Sequence, residues 1–263
     1  MNDEGRVIVQ RSGPVGNVVF ANPARHNAMS IEMWQAVPPA IQELDADPSV
    51  RVIVLEGAGE KAFVSGADIS QFEKIRFDPA AQKRYDECVD AAYLAPVRCR
   101  KPVIAKIRGI CMGGGLGLAA MCDVRICSTD ARFRMPAARL GVGYGMEGVK
   151  RFAALIGAQN TLDIFYSARV FGAEEALRMG FVAKAVAPEQ LDAAIADWTQ
   201  LVAANAPLTL RAVKAAINAI LAEPGARNEQ AVAAALEACF TSQDYREGVR
   251  AFLEKRSPNF QGR

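Results

Sequence analysis

The chain has a single histidine, His26, among 263 residues. A histidine-based metal centre or a Ser-His-Asp triad therefore has almost nothing to draw on, and no metal is expected. Six cysteines are present, at positions 88, 99, 111, 122, 127 and 239, but none stands in a C-x-x-C pair. They read as reduced thiols in the core of a cytoplasmic protein. An excess of charge of one sign is also lacking. The 31 basic and 29 acidic residues leave +2, so nothing draws the chain electrostatically to nucleic acid or an anionic membrane. No apolar run approaches the roughly 20 residues that span a bilayer. The N-terminal Met1-Asn2-Asp3-Glu4-Gly5-Arg6 is polar and partly acidic, unlike a secretory signal.

Apolar residues are plentiful. They make up 51% of the chain against 23% charged, enough for a substantial core in one large domain or a domain with an appendage. The first half alternates strands and helices. Residues 6–10 and 17–20 read as strands joined at Ser12-Gly13-Pro14, and 30–44 as a helix that Pro38-Pro39 must kink or interrupt. Residues 50–56, 103–107 and 124–127 read as buried strands. Residues 71–94 read as mainly helical, with a break at Asp78-Pro79. From Glu147 onward the pattern is almost wholly helical, with Ala-rich amphipathic stretches at 191–204 and 208–221. Strand–helix–strand repetition implies right-handed crossovers and a sheet covered by helices.

The most informative stretch is Cys111-Met112-Gly113-Gly114-Gly115-Leu116-Gly117-Leu118-Ala119-Ala120-Met121-Cys122-Asp123. It follows a strand and leads into a buried helix. Glycines at such a turn let the backbone approach a ligand closely. Free N–H groups at the helix start, with the positive end of the helix dipole behind them, suit an oxygen that gains negative charge. A tight turn with no ligand fits the glycines equally well.

Several further segments stand in order around it. They are Asn22-Pro23 with Asn27-Ala28-Met29, Lys61-Ala62-Phe63-Val64-Ser65-Gly66-Ala67-Asp68-Ile69, and Lys101-Pro102-Val103-Ile104-Ala105. Cys122-Asp123-Val124-Arg125, Phe133 with Pro136, Leu140-Gly141 and the tail Ala251-Phe252-Leu253-Glu254-Lys255-Arg256 complete the set. In this order and spacing the chain resembles the crotonase family, the enoyl-CoA hydratase/isomerase superfamily, along essentially its whole length. The resemblance implies a crotonase-like α/β spiral of strand–strand–helix units. Residues 1–200 would form the spiral core with the acyl-CoA site, and 201–263 a helical region used in assembly as a homotrimer or homohexamer. It also implies an acyl-CoA thioester substrate, with no cofactor beyond the coenzyme A that the substrate carries.

By that resemblance, the amides of Ala67 and Gly114 hold the thioester oxygen while an enolate forms. Hydratases of the family carry two glutamates, at positions that are Gly117 and Ala137 here; an aspartate used by some isomerases and dehalogenases falls at Gly145. None of these can move a proton. Tyr144 matches a tyrosine of methylmalonyl-CoA-type decarboxylases, and its phenol could deliver a proton. Glu147 is the other candidate acid or base. Arg25 and Lys61 are candidates for the coenzyme A phosphates. His26, Asn27, Phe63, Asp68 and Ile69 are candidates for the same binding region, with Asp68 also buttressing the loop that carries Ala67. Phe252, Lys255 and Phe260 lie in the tail that helps close the coenzyme A site in relatives. Arg134, between Phe133 and Met135, is expected to point to solvent or another subunit. Decarboxylation fits this set, because loss of carbon dioxide makes the enolate without a base. Hydration or isomerisation through Glu147 or an ordered water, and a non-catalytic acyl-CoA binder or scaffold, remain the alternatives.

Overall fold

The computed structural model describes residues 5–68 and 78–263. Strands β1 (Arg6–Ser12) and β2 (Val15–Ala21) form an antiparallel hairpin in which Arg6 faces Ala21 and Ser12 faces Val15. The two residues between them include Gly13 at φ +56°. Along β2 buried and half-buried residues alternate, which buries Val18 and Phe20 on one face.

Helix α1 (Ile31–Ala46) follows, capped by Ser30, whose side chain accepts from Met33 N. Of the two outcomes expected from sequence, a kink or an interruption, the interruption does not occur: the helix runs on through Pro38 and Pro39. Each proline removes one backbone donor. The stripe Met33, Trp34, Val37, Ala40, Ile41 and Leu44 is buried along the whole length, and tertiary packing of that stripe holds the helix through both prolines.

Next come β3 (Val52–Gly57) and β4 (Ala62–Val64), then α2 (Pro79–Arg98), which Asp78 caps and Pro79 opens. The same strand–strand–helix order recurs in β5 (Val103–Ile107), β6 (Ile110–Met112) and α3 (Gly114–Met121). It recurs again in β7 (Val124–Ser128), β8 (Arg132–Arg134) and α4 (Ala137–Leu140). Helix α5 (Met146–Ser167), β9 (Val170–Gly172), α6 (Ala173–Arg178) and β10 (Lys184–Val186) lead to a helical tail. The tail comprises α7 (Leu191–Ala203), α8 (Pro207–Leu221), α9 (Glu229–Thr241) and α10 (Gln243–Leu253).

Among the described residues the strands form two sheets. One runs β1-β2-β3-β5-β7-β10, parallel beyond the first pair; the other runs β4-β6-β8-β9, parallel except for the last pair. The chain thus winds as an α/β spiral, in which the first strand of each unit enters one sheet and the second enters the other. The short strands β4, β6, β9 and β10 are not legible as strands in the sequence. Three residues give no periodicity, and each is held by its neighbours in the sheet. Arg134 is also tied inward rather than to solvent: its Nε donates to Ala168 O at 2.7 Å. All six cysteines are free thiols, and Cys99, Cys111, Cys122 and Cys127 are buried.

Of the ion pairs that tie the tail to the spiral, the one with the most buried cation holds α8. The Lys214 ammonium of α8 donates to Asp123 Oδ2 at 2.7 Å, Pro96 O at 2.8 Å and Lys101 O at 2.9 Å. The same carboxylate oxygen accepts from Val103 N at 2.7 Å. All three ammonium protons are therefore used, in a site where the lysine side chain is 8% exposed. Removing Asp123 would leave a buried ammonium without its counter-charge, at about 3 kcal/mol or more, whereas removing Lys214 leaves a carboxylate that is 27% exposed and still accepts from Val103 N, a smaller cost. Lys214→Met is expected to lower the urea midpoint accordingly, with no loss of α3 or of the sheet by circular dichroism.

Candidate active site

The glycine stretch becomes the turn between β6 and α3. Gly113 sits at φ +51°, ψ −120°, a conformation open to glycine, and its amide donates to Arg134 O at 2.9 Å. The helix begins at Gly114, and residues 115–121 are all buried. A helix apolar all round belongs inside a core. Its C-terminal carbonyls are held by two guanidinium groups. Arg125 donates to Cys122 O at 2.8 Å and also binds Phe181 O, while Arg151 donates to Ala120 O at 2.7 Å and to Cys122 O at 3.0 Å. Burial lowers Arg125 to about 10, so it still carries its charge at neutral pH. Cations at the C-terminal end and open amides at the N-terminal end both follow the helix dipole.

The segment 65–68 lies against the start of this helix. It is hung from the turn after β2 by buried carboxamides. Asn27 Oδ1 accepts from Asn22 N at 3.0 Å, and Asn27 Nδ2 donates to Ala58 O at 3.0 Å and Ala62 O at 2.8 Å. Met29 forms a parallel bridge with Ala67, its N donating to Gly66 O and its O accepting from Asp68 N, both at 2.8 Å. Because the peptides on either side of Ala67 face Met29, the amide of Ala67 itself points the other way. A Cβ added at Gly66 would stand 3.5 Å from Met112 O and 4.0 Å from Gly114 N, so the two backbones touch. The amides of Ala67 and Gly114 are both half-buried, and neither donates to a main-chain acceptor among the described residues. Gly114 N is one of the orphan donors of a helix's first turn.

Two phenols occupy the space above Gly117. A Cβ there would meet Tyr93 Oη at 2.2 Å and Tyr144 Oη at 2.6 Å. Tyr93 Oη donates to Gly114 O at 3.1 Å. Tyr144 is wedged edge-on against Phe165 and Phe152, with centroids 5.0 and 6.5 Å away. Its Oη is buried and makes no hydrogen bond of normal geometry. Burial pushes the Tyr144 phenol up to about 12, an effect the nearby Tyr93 hydroxyl partly offsets. Burial likewise pushes Tyr93 well above its ordinary value, with Tyr144 adding to the rise. Both are neutral acids at physiological pH. Trp34 Nε1 is a second buried donor without a partner, on a ring that closes edge-to-face on Tyr93 at 5.9 Å and against which a Cβ at Gly114 would collide at 2.9 Å.

Tyr93 was not legible as a site residue. No motif marks it, and only its place beside Ala92 and Pro96 on the buried face of α2 brings it to α3. Glu147 stands exposed in the first turn of α5. Ala137 is buried at the start of α4 and offers no polar atom. Two candidates for coenzyme A contact are corrected. Phe63 is fully buried, edge-to-face with Phe20 at 5.7 Å, because its strand β4 is buried on both faces. Asn27 is 1% exposed and spends its amide on the turn it builds. Arg25 pairs with Asp68, Nη1 lying 2.6 and 2.8 Å from the two carboxylate oxygens, on the rim beside the exposed His26 and Lys61. Ile69 lies outside the described residues. Among the described residues no group of three or more His, Cys, Asp or Glu side chains is arranged to hold a metal, and no helix is long and apolar enough to cross a membrane.

The family model for enoyl-CoA hydratase/isomerase matches residues 10–263. The chain belongs to this family. It is 32% identical to the short-chain-enoyl-CoA hydratase of Clostridium acetobutylicum over 95% of both chains, and 33% identical to the crotonyl-CoA hydratase of Syntrophomonas wolfei over 97% of both. Among solved structures, an enoyl-CoA hydratase/isomerase family protein of Hyphomonas neptunium superposes with a TM-score of 0.92 at 33% identity, covering 98% of each chain. An enoyl-CoA hydratase/carnithine racemase of Magnetospirillum magneticum gives 0.90 at 34% identity, covering 98% of this chain and 96% of that one. The family membership makes this an enzyme acting on acyl-CoA thioesters, with the crotonase fold.

Within that fold, Gly117 is fitted to the phenol pair. Any side chain there must push two buried rings aside, and overpacking of that kind costs about 1–3 kcal/mol. Gly117→Ala is expected to lower thermal stability by that amount, and trimming Tyr93 to Phe in the same chain to restore part of it.

Proposed function

We propose that the protein stabilises a thioester enolate with the amides of Ala67 and Gly114 and protonates it from a phenol, Tyr144. The reaction this equipment serves best is decarboxylation of a malonyl- or methylmalonyl-type acyl-CoA. The observation that carries the reading is the Tyr144 hydroxyl, buried beside Gly117 with no hydrogen bond of normal geometry. A buried unpaired hydroxyl costs about 1–3 kcal/mol, a cost that a bound substrate's polar atom would remove. As the carboxylate leaves as carbon dioxide, its bonding pair passes into the thioester and negative charge collects on the carbonyl oxygen. Two preorganised amides meet that charge, each worth about 3 kcal/mol at such sites. The carbon then takes the proton of Tyr144, and solvent restores it. No base is required, which accords with glycine at 117 and alanine at 137.

Hydration is the second reading, supported by relatives named short-chain-enoyl-CoA and crotonyl-CoA hydratase. Its available carboxylate, Glu147, is exposed to solvent. A panel of enoyl-, malonyl- and methylmalonyl-CoA esters followed by mass spectrometry separates the two. Loss of carbon dioxide is expected, with kcat falling roughly 100- to 10,000-fold in Tyr144→Phe and unchanged in Glu147→Gln. Addition of water that survives Tyr144→Phe and is lost in Glu147→Gln would establish hydration instead. Tight binding with no conversion of any ester would mark a binder.

We also infer self-association through the helical tail. Phe240, Phe252, Leu236 and Leu253 are all at least half exposed, Phe252 by 82%, more apolar surface than a lone chain leaves in water. Light scattering is expected to give three or six times the chain mass. Phe252→Asp with Leu253→Asp should lower it, and a monomer in the unaltered chain would refute the inference.

A further inference from the structure

The Tyr93 hydroxyl stands against Gly117 together with Tyr144 Oη. Its own proton is given to Gly114 O at 3.1 Å. That carbonyl has a helical partner of its own in the Leu118 amide, four residues on. The Tyr93 proton is therefore not indispensable where it is, and a turn about the Cζ–Oη bond redirects it. Tyr144 Oη makes no hydrogen bond of normal geometry, yet it lies close enough to the Tyr93 hydroxyl to feel it. The Tyr144 ring is fixed by Phe152, Phe165 and the bare face of Gly148, where a Cβ would meet Tyr144 Cε1 at 2.4 Å.

We propose that Tyr93 is a positioning residue that stabilises, by a hydrogen bond, the charge left on Tyr144. When the Tyr144 proton passes to the enolate carbon, the Tyr93 hydroxyl swings from Gly114 O to the Tyr144 phenolate oxygen. The inference rests on Tyr144 as the donor. The balance is simple. The C–H bond of the product forms, the O–H bond of Tyr144 breaks, and Tyr144 keeps the electron pair. Tyr93 stays protonated, giving a hydrogen bond to that oxygen until solvent returns a proton to Tyr144. A phenolate formed in an apolar wall with no donor would be strongly disfavoured; the switch supplies a donor from the neighbouring phenol. It also explains why two phenols, rather than one, fill the place left by Gly117.

The test is a double-mutant cycle of Tyr93→Phe and Tyr144→Phe on the malonyl-type ester that the enzyme decarboxylates. Tyr93→Phe is expected to lower kcat roughly 10- to 100-fold with KM unchanged, as befits one hydrogen bond to a charged group. In the Tyr144→Phe background the same change should cost less than about 2-fold. Equal losses in both backgrounds would overturn the inference and leave Tyr93 as a support for Gly114 O. If Tyr144→Phe alone keeps full activity, the donor assignment falls, and the switch with it. A second measurement needs no substrate. With 3-fluorotyrosine at position 144, absorbance titration reads the ionisation of that phenol directly. Tyr93→Phe should raise its pKa; an unchanged or lower value would overturn the proposal.

Discussion

Two stretches of backbone touch with no side chains between them, and the site is built on that contact. Segment 65–68 lies on the turn into α3 so closely that a Cβ at Gly66 would stand 3.5 Å from Met112 O, and just before it a Cβ at Gly115 would stand 2.3 Å from Val64 O of β4. The pairing of β4 with β6, through Ala62 with Ile110 and Val64 with Cys111, sets this distance from one side. Asn27 and the Met29–Ala67 bridge set it from the other. Main-chain amides so placed owe nothing to the identity of the acyl-facing side chains. The same frame can therefore serve chemistries that differ only in what supplies the proton.

The electrostatics of α3 run in one direction. Eight apolar or glycine residues carry the helix through the core, with Arg125 and Arg151 on its tail carbonyls and the open Gly114 amide at its head. The phenols at its flank are neutral, so they bring no charge that opposes negative charge at the head. A glutamate rooted at residue 117 would bring a charge of its own, and the space for it is already filled by Tyr93 and Tyr144.

Much of this was legible in the chain. The long strands of the six-stranded sheet, α1, the glycine helix and the tail helices α7 and α8 carry enough periodic or apolar residues to declare themselves. The family resemblance rests on motifs that the whole-chain matches bear out. What was hidden has a common cause. Strands β4, β6, β9 and β10 are three residues long and exist through their neighbours. The continuity of α1 through Pro38 and Pro39 comes from burial of its apolar stripe. Phe63 and Asn27 looked like binding residues because they sit in the motif that carries Ala67, yet both face inward and build that motif instead. Tyr93 lies 21 residues before Gly114 and meets it only through the packing of α2 on α3.

The central claim is that one thioester oxygen receives both the Ala67 and the Gly114 amide. Infrared difference spectroscopy of bound acetyl-CoA, with the carbonyl carbon labelled, reads this directly. Two strong donors weaken the C=O bond, so the carbonyl band should move to clearly lower frequency than in water. A band at or above its position in water would mean that the oxygen is not held there, and would contradict the account.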